Sequence, residues 1–236
     1  MRKLLSVLLL LPTLVLAKGG PTEDLFGAWG TAIFTGRVAD TNFLWYGEGS
    51  ARATDSVKTA KSPTGQEFDV HGLVGRVGLG YKLTDNQKVF AGYAYQESEA
   101  PYARVDLTEN RAWEQHEYKH NFSNKDSLNF RSRLEERTVD VSDDTAVRFR
   151  EQIKYNHPVT DRLSLVASEE VFVNVNKANW GPVSGFDQNR GFVGVGYKLS
   201  DHYKTEVGYM NQYLNRENNY DRMVHMVNIS LIGDYI

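Results

Sequence analysis

Residues 145–157 read Thr-Ala-Val-Arg-Phe-Arg-Glu-Gln-Ile-Lys-Tyr-Asn-His, and their period of two decides the fold. Val147, Phe149, Ile153 and Tyr155 fall on one face of an extended strand, and Arg148, Arg150, Gln152 and Lys154 on the other. The stretches on either side repeat the division. Asn129, Arg131, Arg133, Glu135 and Arg137 oppose Phe130 and Leu134, while Ser168, Glu170, Asn174 and Asn176 oppose Val171, Val173 and Val175. Consecutive strands with one charged face and one apolar face predict a sheet wall that separates two environments.

From residue 66 onward the chain breaks into such stretches, ten to fifteen residues each, with no 3.6-residue stripe. The predicted strands run over 25–37, 42–55, 67–83, 87–98, 110–121, 127–139, 145–157, 163–176, 189–199, 203–215 and 222–234. Short turns, at Thr84-Asp85-Asn86, Ser123 to Asp126, Pro158 to Arg162 and Ser200 to His202, alternate with longer links at 99–109, 177–188 and 216–221. Short turns at one rim and longer loops at the other are the habit of an outer-membrane barrel. Strands of this length cross a hydrocarbon layer, whereas globular strands average five or six residues. The fold expected is all-β: an up-and-down antiparallel transmembrane β-barrel. Eleven strands conflict with the even count of bacterial single-chain barrels, so the expectation is 10 to 12, with the N-terminal region as the place of any miscount.

Residues 1–17 read as an export signal, with Arg2 and Lys3 before the apolar run Leu4 to Leu16 and a small-residue site at Val15-Leu16-Ala17. The reading is therefore a cleaved signal peptide at 1–17 and a single barrel domain at 18–236, delivered to the outer membrane. Losing Arg2 and Lys3 takes the net charge from −3 to −5, without the basic footprint of a nucleic-acid binder. No cysteine is present, which excludes disulfides, thiolate metal sites and lipid attachment to cysteine.

In the last strand Met223, His225, Val227, Ile229 and Leu231 form the better lipid face. Tyr81, Tyr93, Tyr95, Tyr118, Tyr155, Tyr197, Tyr209 and Tyr213 lie near predicted strand ends, as interfacial girdles require. Glu151 and Glu169 fall on the supposed lipid face, brought together by a hairpin near residue 160. They mark a protomer contact, a headgroup defect or a local error of phase.

Several segments of the C-terminal half resemble one family: Glu-Asn-Arg-Ala-Trp-Glu-Gln (109–115), Phe-Arg-Ser-Arg-Leu-Glu-Glu-Arg (130–137), Ser-Asp-Asp-Thr-Ala-Val-Arg-Phe-Arg (142–150), Gly-Phe-Asp-Gln-Asn-Arg (185–190), Gly-Tyr-Met-Asn-Gln-Tyr (208–213) and Asp-Arg-Met-Val-His (221–225). In order and spacing they are similar to the bacterial proteins grouped as domain of unknown function 2490. The resemblance implies an outer-membrane-like barrel and no established activity.

Inward residues of the central hairpins are expected to form a cross-strand series: Glu117 opposite Arg131, Gln115 opposite Arg133, Glu135 near Arg148 or Arg150, and Arg150 opposite Glu170. One reading is an ion-pair network that fills a narrow lumen. The other takes the positive excess of Arg131, Arg133, Arg137, Arg148, Arg150 and Lys154 as the lining of a channel or cavity for anionic or polar solutes. A soluble periplasmic barrel carrying an apolar ligand is the alternative if the faces exchange places. An outer-membrane hydrolase is a further one, resting on His120 to Ser123 with His116, His157 and His202, although no G-x-S-x-G or H-E-x-x-H motif occurs. Asp143-Asp144 and Asp187 with Asn189 have the chemistry of a Ca²⁺ site but read as solvated loop residues, so neither metal nor cofactor is expected. Asn179-Trp180-Gly181-Pro182 with Gly185-Phe186-Asp187 predicts a structured loop folded into the barrel mouth.

Overall fold

A computed structural model of the chain describes residues 22–55, 68–99, 102, 106–216 and 221–236. The proposed signal peptide lies outside them. Eleven strands are present: β1 (Thr22–Arg37), β2 (Phe43–Asp55), β3 (Phe68–Thr84), β4 (Gln87–Ser98), β5 (Leu107–Asn121), β6 (Ser127–Val139), β7 (Ser142–Pro158), β8 (Leu163–Asn174), β9 (Gly185–Lys198), β10 (Tyr203–Leu214) and β11 (Asp221–Tyr235). Each strand pairs with its chain neighbour in antiparallel fashion, and β1 closes the barrel against β11. That closing pair is parallel, with Thr22 beside Asp221 and Gly36 beside Tyr235. This answers the parity conflict: an up-and-down barrel with an odd count must bring its first and last strands together in parallel, and odd-numbered barrels exist. The N-terminal region pairs regularly along β1 and hides no twelfth strand among the described residues.

Closure leaves no free sheet edge. It also sorts the two ends. The connections after β1, β3, β5, β7 and β9 form a short-turn rim, where β11 also ends, and the connections after β2, β4, β6, β8 and β10 form the opposite rim. The link at 140–141 is the tightest of this second set.

The wall has the sidedness that residues 145–157 predict. Phe149 and Ile153 are each 41 % exposed on the outside, whereas Arg148 and Arg150 are 5 % and 6 % exposed and point inward. Val77, Leu79, Leu165, Val193, Val195, Val207, Val227 and Ile229 continue the outer apolar band. Near the short-turn rim this band ends in paired rings: Phe43 on Tyr81, Trp45 on Tyr235, Phe34 on Tyr203 and Tyr118 on Phe130. Tyr93, Tyr95 and Tyr209 are exposed nearer the other rim.

Inside, Leu44, Tyr46, Phe90, Ala94 and Trp113 form an aromatic plug in the short-turn half, with Ile33 and Ile236 against it. The plug depends on two glycines that face each other across β3 and β4, Gly78 and Gly92. A Cβ on Gly92 would lie 2.1 Å from the Val77 carbonyl oxygen and 2.9 Å from the Trp113 ring. Only bare backbone lets the indole lie flat on the wall, an aromatic covering a glycine pair. Phe192 covers Gly194 and Gly208 in the same way.

Candidate functional site

The lumen is organised around Glu135, a fully buried carboxylate on β6. Alternation on β6 and β7 sends Arg133, Glu135, Arg137, Arg148 and Arg150 inward, and the registers place Glu135 beside Arg148. Oε2 of Glu135 accepts from Arg148 Nη2 at 2.6 Å, and Oε1 accepts from Arg150 Nη1 at 2.7 Å and Arg76 Nη2 at 3.2 Å. Arg111 and Arg133 approach the same carboxylate at 4.0 Å. Two further carboxylates divide the remaining cations. Glu109 bridges Arg111 at 2.6 Å and Arg137 at 2.8 Å, and Glu48 bridges Arg76 at 2.7 Å. Each of these ions is largely removed from water, and the charge-assisted bonds replace much of its solvation.

The expected cross-strand pairs are met unevenly. Gln115 faces Arg133 and accepts from its Nε at 2.7 Å. Glu117 also faces Arg131, yet Arg131 donates instead to Glu170 at 2.7 Å, and Glu117 takes its hydrogen bond from Gln115. Arg150 is not opposite Glu170; it faces Phe172, and Gln152 faces Glu170. The salt bridge forms on the diagonal, with Arg150 Nη2 to Glu170 at 2.7 Å, because a long guanidinium spans the two-residue offset. Lys154 reaches Glu206 on β10 at 2.6 Å.

Glu48, Arg76, Glu109 and Arg111, which complete the network, escape the sequence reading. The signal for Glu48 and Arg76 was present as a lone charge at an inward position in the glycine-rich runs Tyr-Gly-Glu-Gly and Val-Gly-Arg-Val.

Above the network, toward the long-loop rim, lies a cavity of about 520 Å³ lined by Trp29, Arg52, Tyr102, Arg148, Gln188, Arg190 and Gln212 among others. Trp180, Gly181, Pro182 and Phe186 line its mouth, so the 179–187 loop folds over the opening as its composition suggested. Trp180 is held there by its Nε1, which donates to the Asp144 carbonyl at 2.9 Å, and by the Arg137 guanidinium at 4.9 Å from its ring.

On the outside, Glu151 and Glu169 are diagonal rather than opposite, since Glu169 faces Ile153 and Glu151 faces Val171. Both are bonded within the wall: Ser132 Oγ donates to Glu151 at 2.6 Å, and Asn189 Nδ2 donates to Glu169 at 2.6 Å. Asp187 and Asn189 do not converge on a cation position, because Asp187 lies 3.5 Å from Arg148 in the lumen while Asn189 faces outward. His120 packs on Phe122 at 4.6 Å and lies 3.5 Å from Tyr118 Oη, both at the short-turn rim. Also at that rim, the Asp126 carboxylate accepts from Tyr155 Oη and Asn124 Nδ2 and sits 2.7 Å from His157 Nδ1. Burial pushes the Asp126 carboxyl upward, but these partners prevail and hold it below the usual carboxylate range.

Comparison with known proteins adds two likenesses. An uncharacterized protein of Methylorubrum extorquens is 25 % identical over 237 residues, which cover 99 % of this chain and 98 % of the relative. The outer-membrane expressed OmpT of Vibrio cholerae superposes with a TM-score of 0.40 at 10 % identity, over 73 % of this chain; the chain spans 55 % of that structure's length. The model of the family described as protein of unknown function (DUF2490) matches residues 26–224, and the chain belongs to that family.

Proposed function

We propose that the chain is an outer-membrane barrel whose lumen forms a cationic chamber for small anionic or polar solutes, entered from the long-loop rim, with a non-catalytic role. One observation carries the reading: apolar side chains such as Val193, Val207, Val227 and Ile229 stand exposed side by side on the outside, while Arg148, Arg150 and Arg133 are enclosed. In water that outer band would be an unusually large apolar patch; in a bilayer it faces the solvent it suits. The same sidedness argues against the soluble carrier, which needs the apolar face inside.

A chamber is favoured over a through-channel because Tyr46, Phe90 and Trp113 occupy the lumen on the short-turn side. Cell fractionation with heat-modifiable migration in detergent gels tests the membrane reading. The barrel should fractionate with outer membrane and migrate differently before and after boiling. Recovery as a soluble periplasmic protein refutes it, and a steady cation-favouring conductance in planar bilayers refutes the closed, cationic lumen.

A further inference from the structure

Two of the cavity's arginines are less closely paired with carboxylates than the deeper ones. Arg52 is 4 % exposed, makes no salt bridge among the described residues, and its Nε has no hydrogen-bond partner. Arg190 has an unpartnered Nε as well, and its nearest carboxylate oxygen, on Glu170, is 3.8 Å away. The other oxygen of Glu170 already accepts from Arg131 and from Arg150 through both Nε and Nη2. Little of that carboxylate's charge is left for Arg190.

Both guanidiniums instead sit over aromatic rings. Arg52 lies 5.0 Å from the Trp29 ring centroid and 3.9 Å from that of Tyr102, and Arg190 lies 4.5 Å from Trp29 and 4.4 Å from Phe172. Stacking of this kind holds the planar cations without neutralising them. Each keeps an unpartnered Nε–H donor, and the N–H groups of a guanidinium match an oxyanion. Trp29 Nε1 is a further buried donor without a partner. Leu107 and Leu214 add apolar wall to the same cavity.

We propose that Arg52 and Arg190, mounted on Trp29, form the binding site for a small organic anion: a carboxylate or phosphate carried on an apolar or aromatic body. The inference rests on the chamber reading above and names the ligand class of that chamber. The cavity's volume accommodates a body of this kind.

The full-length mature chain, refolded in detergent micelles and shown to be folded by heat-modifiable migration, is titrated calorimetrically with benzoate, phenyl phosphate, benzyl alcohol, benzylamine and acetate. Benzoate and phenyl phosphate should bind saturably. Benzyl alcohol and benzylamine should bind roughly tenfold or more weaker for want of charge or for the wrong sign, and acetate should fall behind benzoate for want of an apolar body. R52M and R190M should each weaken benzoate by roughly tenfold or more. R52K, which keeps the charge and should fold where R52M fails to, should weaken it by a smaller factor through loss of the planar fork.

Saturable binding of benzylamine as tight as that of benzoate, absence of saturable heat with every anion, or unchanged affinity in folded R52M, R190M and R52K overturns the proposal. A chain that fractionates with outer membrane and binds no anion removes this inference and leaves the barrel reading standing. A soluble chain removes the barrel reading whatever it binds.

Discussion

Replacing Glu135 by glutamine removes the charge at the middle of the lumen while keeping the side chain's size. In the native barrel that carboxylate holds Arg148 at 2.6 Å, Arg150 at 2.7 Å and Arg76 at 3.2 Å, with no exposure to water. The amide retains one acceptor oxygen and turns its nitrogen toward cations, so at least one of these bonds becomes a repulsive donor–donor contact. Removing one partner of a buried pair costs about 3–5 kcal/mol. The figure belongs at the upper end of that range here, since among the described residues Arg148 has only Asp187 at 3.5 Å to turn to and Arg76 only Glu48. Arg150 keeps Glu170. The double substitution E135Q with R148M should recover part of the loss, because it also removes the cation that E135Q leaves most poorly paired, and the cycle should show coupling of about 0.5–3 kcal/mol. Urea unfolding in lipid vesicles, followed by tryptophan fluorescence and by loss of heat-modifiable migration, measures both quantities. Asp161→Asn, in the exposed turn after β7, is the control. If E135Q unfolds at the same urea concentration as the wild type, the central ion network does not hold the barrel together as argued.

Other predictions bear on separate parts of the wall. Trp113→Ala should destabilise by about 3–5 kcal/mol and admit measurable conductance in planar bilayers, since Trp113 stands between Tyr46 and the arginines of the network; a destabilised but silent barrel would mean that Phe90 and Tyr46 suffice to close the lumen. Val207→Arg, at an outward position on β10, should cost about 2–4 kcal/mol if that position lies near the bilayer midplane, against less than about 0.5 kcal/mol on a water-exposed surface; a neutral result in vesicles would show that this face does not meet acyl chains. Because the Asp126 carboxyl titrates lower in the folded chain than in the unfolded one, its contribution is present above the ordinary carboxylate range and is lost as pH falls. Asp126→Asn should therefore lower the unfolding midpoint at neutral pH and shrink its decline below pH ~4, and a midpoint with unchanged pH dependence would assign Asp126 no such part.

Much of the barrel was legible because strand alternation is a local property. Each residue's face follows from its parity along the strand, so Val147 and Phe149 could be separated from Arg148 and Arg150 without knowing what lay beside them. Turn chemistry is equally local, and the strand limits and the alternation of short and long links came from it. What sequence could not supply was everything that depends on register between strands and on distance across the lumen. Arg150 meets Glu170 on a diagonal set by the β7–β8 register, and Glu135 gathers Arg76 from β3, on the far side of β4 and β5. The parallel seam between β1 and β11 joins residues about two hundred positions apart, where no hairpin turn sets the offset. The chamber arises the same way: Trp29, Arg52 and Arg190 come from β1, β2 and β9, and only closure of the sheet into a cylinder brings their side chains together. Local pattern decided which residues face inward; three-dimensional closure decided which of them are closely paired and which, such as Arg52 and Arg190, are not.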